Sequence, residues 1–366
     1  MQIFRLYYRF FHTFNKKISF ILLVFVILQW FGSNISYASS LTSDDFIFSN
    51  ESISADGFGG DIIVSGDLST FKELVFLKED VVERWDYRNF HPLDVSEGKF
   101  EVKRDSFRVF VFKATYTRGN DFLIRVSTEI SPKSRAGYNA LKYAKIVGQV
   151  PNFLRTENSS MTIFEGNGPW AASREGIIIH TDMYSGFDKH LEEMILHEAA
   201  HISLDPWHGG SIENDKWIKI IRKDKKFISS YAMVQREKAG SVVYSEDKAE
   251  TILWWVAVRC KPDRLTNYIY DSVTEGISNR LAYFDEQNFD TYPLKCFSPN
   301  RHKDYFNDLK MRERKEVQKR LKLFGYDAKI DGIWGRGTER ALLFFIIKNG
   351  ENIAINSENI FERILK

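Results

Sequence analysis

His197 and His201 stand four residues apart inside an apolar-periodic segment, and no other feature of this 366-residue chain restricts its fold as tightly. Leu191, Met194, Ile195, Ala199, Ile202 and Ser203 define the inner side of a helix expected from about residue 188 to 204, ended by Pro206. Positions i and i+4 lie on one helix face, so both imidazoles project together from a helix that has to be buried. Glu198 completes the string His197-Glu198-Ala199-Ala200-His201, the H-E-x-x-H pattern. Two such histidines can hold one Zn²⁺ ion, and the glutamate is placed as a general base for a water activated there. Two ligands do not complete a site, so the fold must bring a third against this helix.

His208 is near at hand, but the spacing fails. In the metzincin pattern a glycine turn returns a third histidine to the metal. Here Leu204 occupies the glycine position and Trp207 the histidine position, with His208 one residue late. The alternative is a second helix, expected over residues 245 to 258, in which Glu246 and Glu250 are four apart and share a face. One carboxylate would ligate the metal, and the other would hold a ligating histidine by its far ring nitrogen.

The string Glu246-Asp247-Lys248-Ala249-Glu250 resembles the ligand helix of anthrax lethal-factor-like peptidases, a gluzincin group in which the first glutamate ligates. That resemblance assigns Glu246 to the metal and Glu250 to the supporting role, with the reverse assignment as the alternative. The wider text, "HEAAHISLD" at His197, "FISSYA" at Phe227, "EDKAE" at Glu246 and "NRLAYFD" at Asn279, is similar to a bacterial group of exported zinc metallopeptidases. It covers about residues 140 to 290 and implies a zincin-like fold, one Zn²⁺ ion and hydrolysis of peptide bonds. Within it Tyr231 is the candidate oxyanion donor, because a phenol commonly fills that role in the superfamily. His180, after the Ile-rich strand expected around residues 177 to 179, and Asp205 and His208, after the histidine helix, are candidate cleft residues.

The amino terminus reads as a targeting signal, and export is the expectation. Arg5, Arg9, Lys16 and Lys17 precede an apolar run from Ile18 to Phe31, and Ser36 and Ala38 supply the small residues of a signal-peptidase site. The run is short for a bilayer span of roughly 20 residues, which favours a cleaved signal over residues 1 to 38 and no membrane association afterwards. Its removal leaves 47 basic against 49 acidic residues and argues against a nucleic-acid partner. In an exported protein Cys260 and Cys296 are expected to form a disulfide, which would stabilise the fold by about 3 to 4 kcal/mol.

Residues 39 to 130 have the texture of strands, as in "DIIVSG" (residues 61 to 66), "FRVFVFKATY" (107 to 116) and "FLIRVSTEI" (122 to 130). A helical pattern follows from about 131 to 150. The stretch from 298 to 312 is polar and reads as a linker.

Beyond it, residues 316 to 345 resemble the peptidoglycan-binding type 1 domain, a three-helix module. The matches include Val317, Gln318, Leu321, Gly325 and Tyr326, then Asp331, Gly332, Trp334, Gly335 and Thr338, then Ala341 and Phe345. Gly325 suits a left-handed helix terminus, Asp331-Gly332 a tight turn, and Thr338 a helix N-cap. Where the family usually has glutamine after Phe345, this chain has Ile346.

The expected architecture is α+β: a β-rich part (39 to 130), a zincin-like catalytic domain (131 to 297), and a three-helix domain (313 to 366) that holds the hydrolase at the peptidoglycan of a bacterial envelope. The expected activity is zinc-dependent hydrolysis of a peptide or protein substrate. Cleavage of peptidoglycan stem peptides, or a noncatalytic wall-binding role with a structural metal, are the alternatives.

Overall fold

The computed structural model describes residues 35–37, 62–86, 103–182, 191–205, 212–238 and 241–366, apart from single positions and one pair within these ranges, Tyr231 among them. Of the expected export signal only Ile35–Tyr37 (β1) is described, as a short strand paired antiparallel with Val234–Lys238 (β8), which also pairs with Ser241–Val243 (β9). His208 lies outside the described residues, as Tyr231 does. No helix among the described residues is long and apolar enough to cross a membrane.

A six-stranded sheet forms the frame. Phe71–Asp86 (β2) and Lys103–Tyr116 (β3) pair antiparallel, and Phe122–Ser127 (β4) continues antiparallel beside β3. Ser160–Phe164 (β5) then pairs parallel with β4, Gly176–His180 (β7) pairs parallel with β5, and Ala171–Ser173 (β6) closes the far edge. Strand alternation sorts β3 into two faces: Phe110, Phe112 and Ala114 enter the main core, while Phe107, Val109 and Val111 join Phe164, Ala171 and Ile178 in a smaller cluster. Buried on both faces, β7 reads as a continuous apolar run rather than an alternating one.

Because β4 pairs with β5, one sheet takes strands from both sides of residue 130. The segment "DIIVSG" is a correction. Ile62 and Ile63 are buried, but residues 62–67 form bends and a turn, closed by Asp67 N–H on Val64 O at 2.8 Å.

The main core lies between the sheet and helices Lys133–Val147 (α1), Asn152–Thr156 (α2), Leu191–Leu204 (α3), Asn214–Asp224 (α4) and Ser245–Cys260 (α5). All sixteen residues of α5 are buried, the signature of a central helix. Asn267–Gly276 (α6) and Ser278–Asp285 (α7) follow, and Cys260 at the end of α5 is disulfide-bonded to Cys296.

The polar stretch read as a linker is instead helical over Pro299–Asp308 (α8), because His302 and Phe306 fall on one face and bury against Ser357–Leu365 (α11). Met311–Leu323 (α9) and Arg336–Lys348 (α10) complete the carboxy-terminal unit. It sits firmly on the body: Arg259 of α5 pairs with both Asp285 and Glu339 at 2.9 Å, and Tyr270 of α6 meets the ring of Phe344.

Candidate metal centre

Helices α3 and α5 pack against one another, and their polar side chains meet at the contact. His197, His201 and Glu246 are all buried. Their Nε2, Nε2 and Oε2 atoms form a triangle with edges of 3.1 Å between the histidines, 3.1 Å from His201 to Glu246 and 3.3 Å from His197 to Glu246. No arrangement of protons satisfies all three edges: if both rings donate to Glu246, two N–H groups confront each other. One cation at the centre satisfies all of them. Ligand bonds of roughly 2.0–2.1 Å at a tetrahedral angle put neighbouring ligand atoms roughly 3.3 Å apart, which these edges approach. The residues therefore fit a metal ion.

Glu250, one turn further along α5, brings Oε1 to 3.3 Å from His197 Nδ1, on the far side of the ring from the cluster. Its other oxygen accepts from Ser229 Oγ at 3.1 Å, and Ser229 Oγ in turn accepts from the Ala232 N–H. A carboxylate in this position faces the second ring nitrogen, the place from which a metal-ligating histidine is oriented. Burial works against a charged ring there, yet the carboxylates of Glu246 and Glu250, with Glu198 nearby, outweigh it and lift the His197 pKa to about 10. A metal ion held by this ring would therefore compete with a proton and release it on binding.

The first turn of α5 is held by a second buried network, which the sequence reading missed. Arg280, fully buried in α7, donates to Asp224 Oδ2 at 3.0 Å and to Asp247, the neighbour of Glu246, while Trp217 Nε1 donates to Asp247 Oδ2 at 2.8 Å. Lys248 adds bonds to Asn214 Oδ1 and Ile212 O. Removing one partner of such a buried pair leaves an uncompensated charge, at about 3–5 kcal/mol. The signal was present in the strings "FISSYA" and "NRLAYFD", which carry Ser229 and Arg280.

Glu198 is buried on α3 beside this cluster, close enough to raise the His197 pKa. His180, a candidate cleft residue, is buried at the end of β7, its ring stacked on Phe164 at 5.4 Å and its carbonyl accepting from Trp170 Nε1. Asp205 is likewise buried, its N–H bonded to His201 O at the helix end.

In the carboxy-terminal unit, Asp331, Gly332 and Thr338 converge on Gln318, whose side chain is fully buried. Gln318 Nε2 donates to Asp331 Oδ1, Ile333 O and Thr338 Oγ1, and its Oε1 accepts from Gly332 N–H at 2.7 Å. Gly325 and Gly332 adopt positive φ of 91° and 79°. Thr338 is not the N-cap, which is Gly335; Thr338 lies three residues inside α10 and points at Gln318. Trp334 packs on Phe306, 5.4 Å between ring centres.

Compared with family models, curated proteins and solved structures, the chain matches none.

Proposed function

We propose that this chain is an exported zinc metallopeptidase of the gluzincin type, with a zincin-like body and a carboxy-terminal unit that holds it at peptidoglycan. The observation that carries this reading is the buried triangle of His197, His201 and Glu246, with Glu198 beside it on the same helix. Bound there, zinc would supply Lewis acidity and a water of lowered pKa.

The chain's own residues do the rest. His197 and His201 present neutral rings, and Glu250 keeps the Nδ1 proton of His197 directed away from the metal position. Glu198 takes a proton from the attacking water at its carboxylate and passes it to the leaving amine. Tyr231 is the proposed donor to the developing oxyanion. A purely structural site needs no base of this kind, so Glu198 weighs against a noncatalytic role. The Cys260–Cys296 disulfide agrees with an oxidising, exported compartment.

The test uses purified protein with added zinc on two substrates, casein and isolated sacculi. Casein cleavage that disappears in Glu198→Ala supports the peptidase reading. Release of muropeptides without caseinolysis redirects it to peptidoglycan stem peptides. Retained zinc with no turnover of either would sink both.

A further inference from the structure

A polar cavity of about 270 Å³ lies where β2, β4 and the starts of β5 and β7 converge, with Ile202 of α3 on one wall. Its lining includes Arg84, Arg125, Asn158, Ser160 and Glu175, none of them in the metal cluster. A water takes about 30 Å³ of liquid volume, so there is room for a small molecule.

The charges inside are unevenly matched. Both oxygens of Glu175 are engaged, one by Arg84 at 3.2 Å and the other by Arg104 at 2.8 Å, and Arg84 Nε also donates to Thr162 Oγ1. Arg125 comes from β4 beside them, and its Nη1 is buried without a hydrogen-bond partner. Burial, and then the charge of Arg84, pull its pKa below the usual arginine value. Asn158 Oδ1 is a second buried atom without a partner, on a side chain that is 3% exposed. A half-turn of that amide would present its two N–H donors to the cavity.

Two guanidinium groups, one with an unused buried donor, and an amide able to donate make a receptor for oxygen anions. We propose that this cavity binds a small oxyanion, a phosphate or a carboxylate, between Arg125 and Arg84, with Asn158 donating to it. The occupant would give Arg125 Nη1 an acceptor and reduce the repulsion between the two arginines. Nothing in the site depends on the metal centre.

Calorimetric titration of the full chain with inorganic phosphate, and separately with acetate, tests this at constant ionic strength set with chloride. A neutral chelator, 1,10-phenanthroline, removes any metal that would itself take up anion without adding a carboxylate. Saturable binding of either ion is the expected result, and the ion that binds identifies the source. Arg125→Gln should weaken binding about tenfold or more, since charge-assisted pairs are the strong ones. Asn158→Asp keeps the side-chain shape, places a negative charge at the cavity and should abolish binding even where Arg125→Gln fails to fold. Absence of saturable binding to the unmodified chain, or undiminished binding in folded Asn158→Asp, overturns the proposal.

Discussion

The metal centre and the carboxy-terminal unit are both organised around buried polar side chains, yet they differ in how those groups are satisfied. Gln318 is closed: its oxygen and its amide nitrogen find partners within the same unit, and the ring of contacts through Asp331, Gly332 and Thr338 asks for nothing more. The triangle of His197, His201 and Glu246 is open, since its three atoms face one another across 3.1–3.3 Å and no internal proton serves every pair. A closed hub builds a fold; an open one needs a guest. Asp331, Gly332 and Thr338, singled out with the wall-binding resemblance, thus hold the unit's architecture whatever they contact outside it.

The largest break in this contrast should come from Glu246→Ala. It removes one corner of the triangle, and the purified protein should retain almost no zinc by elemental analysis. Next is Glu250→Ala, which spares the triangle but frees His197 to rotate. Its metal affinity should fall about 10–100-fold in a competition titration with a chromophoric chelator. Unchanged affinity would mean that Glu250 does not orient the ring.

Gln318→Ala should act on the other side of the comparison. It strands the Gly332 N–H and should destabilise the carboxy-terminal unit by about 1–3 kcal/mol, read by denaturant unfolding, with zinc content untouched. Loss of zinc in this variant would show that the hub and the metal centre are one system.

The smallest effect concerns His302, whose ring is buried against Phe297 with Nδ1 at 3.0 Å from Ser357 Oγ. Burial, helped by the charge of Arg301, lowers its pKa to about 4 from the ordinary imidazole value of about 6.5. The unfolded chain therefore binds a proton that the folded chain refuses, and stability falls as pH drops through this window. Between pH 6.5 and 5.5 this single group should cost roughly 1 kcal/mol, a slope that His302→Gln should flatten in thermal melts.

The parts of the molecule legible in the sequence were those with a repeating geometric signature. The i, i+4 spacing of His197 and His201, and of Glu246 and Glu250, survives into the structure because a helix converts spacing directly into a shared face. The Ile-rich run became β7 for the same kind of reason. Failures came where apolar content was right but the backbone was committed elsewhere. Ile62 and Ile63 are buried, yet Val64 spends its N–H on Asp67 and its carbonyl on Gln149 and Asp67, so no strand forms. Residues 299–308 look polar on average because only one face of the helix, with His302 and Phe306, turns inward. Ser229, Arg280 and Asp224 carry no periodicity: Ser229 and Arg280 meet α5 from separate elements, and Asp224 reaches it only through Arg280.

The bond between Cys260 and Cys296 has a mechanical consequence. It shortcuts the chain between the end of α5 and the segment leading into α8, so a pull applied to residues 297–366 reaches Cys260 covalently without stretching residues 261–295. That load path ends on the helix that carries Glu246 at its other end, 14 residues away. With Arg259 gripping Glu339 alongside, tension on the carboxy-terminal unit reaches the end of α5 both through a covalent bond and through an ion pair.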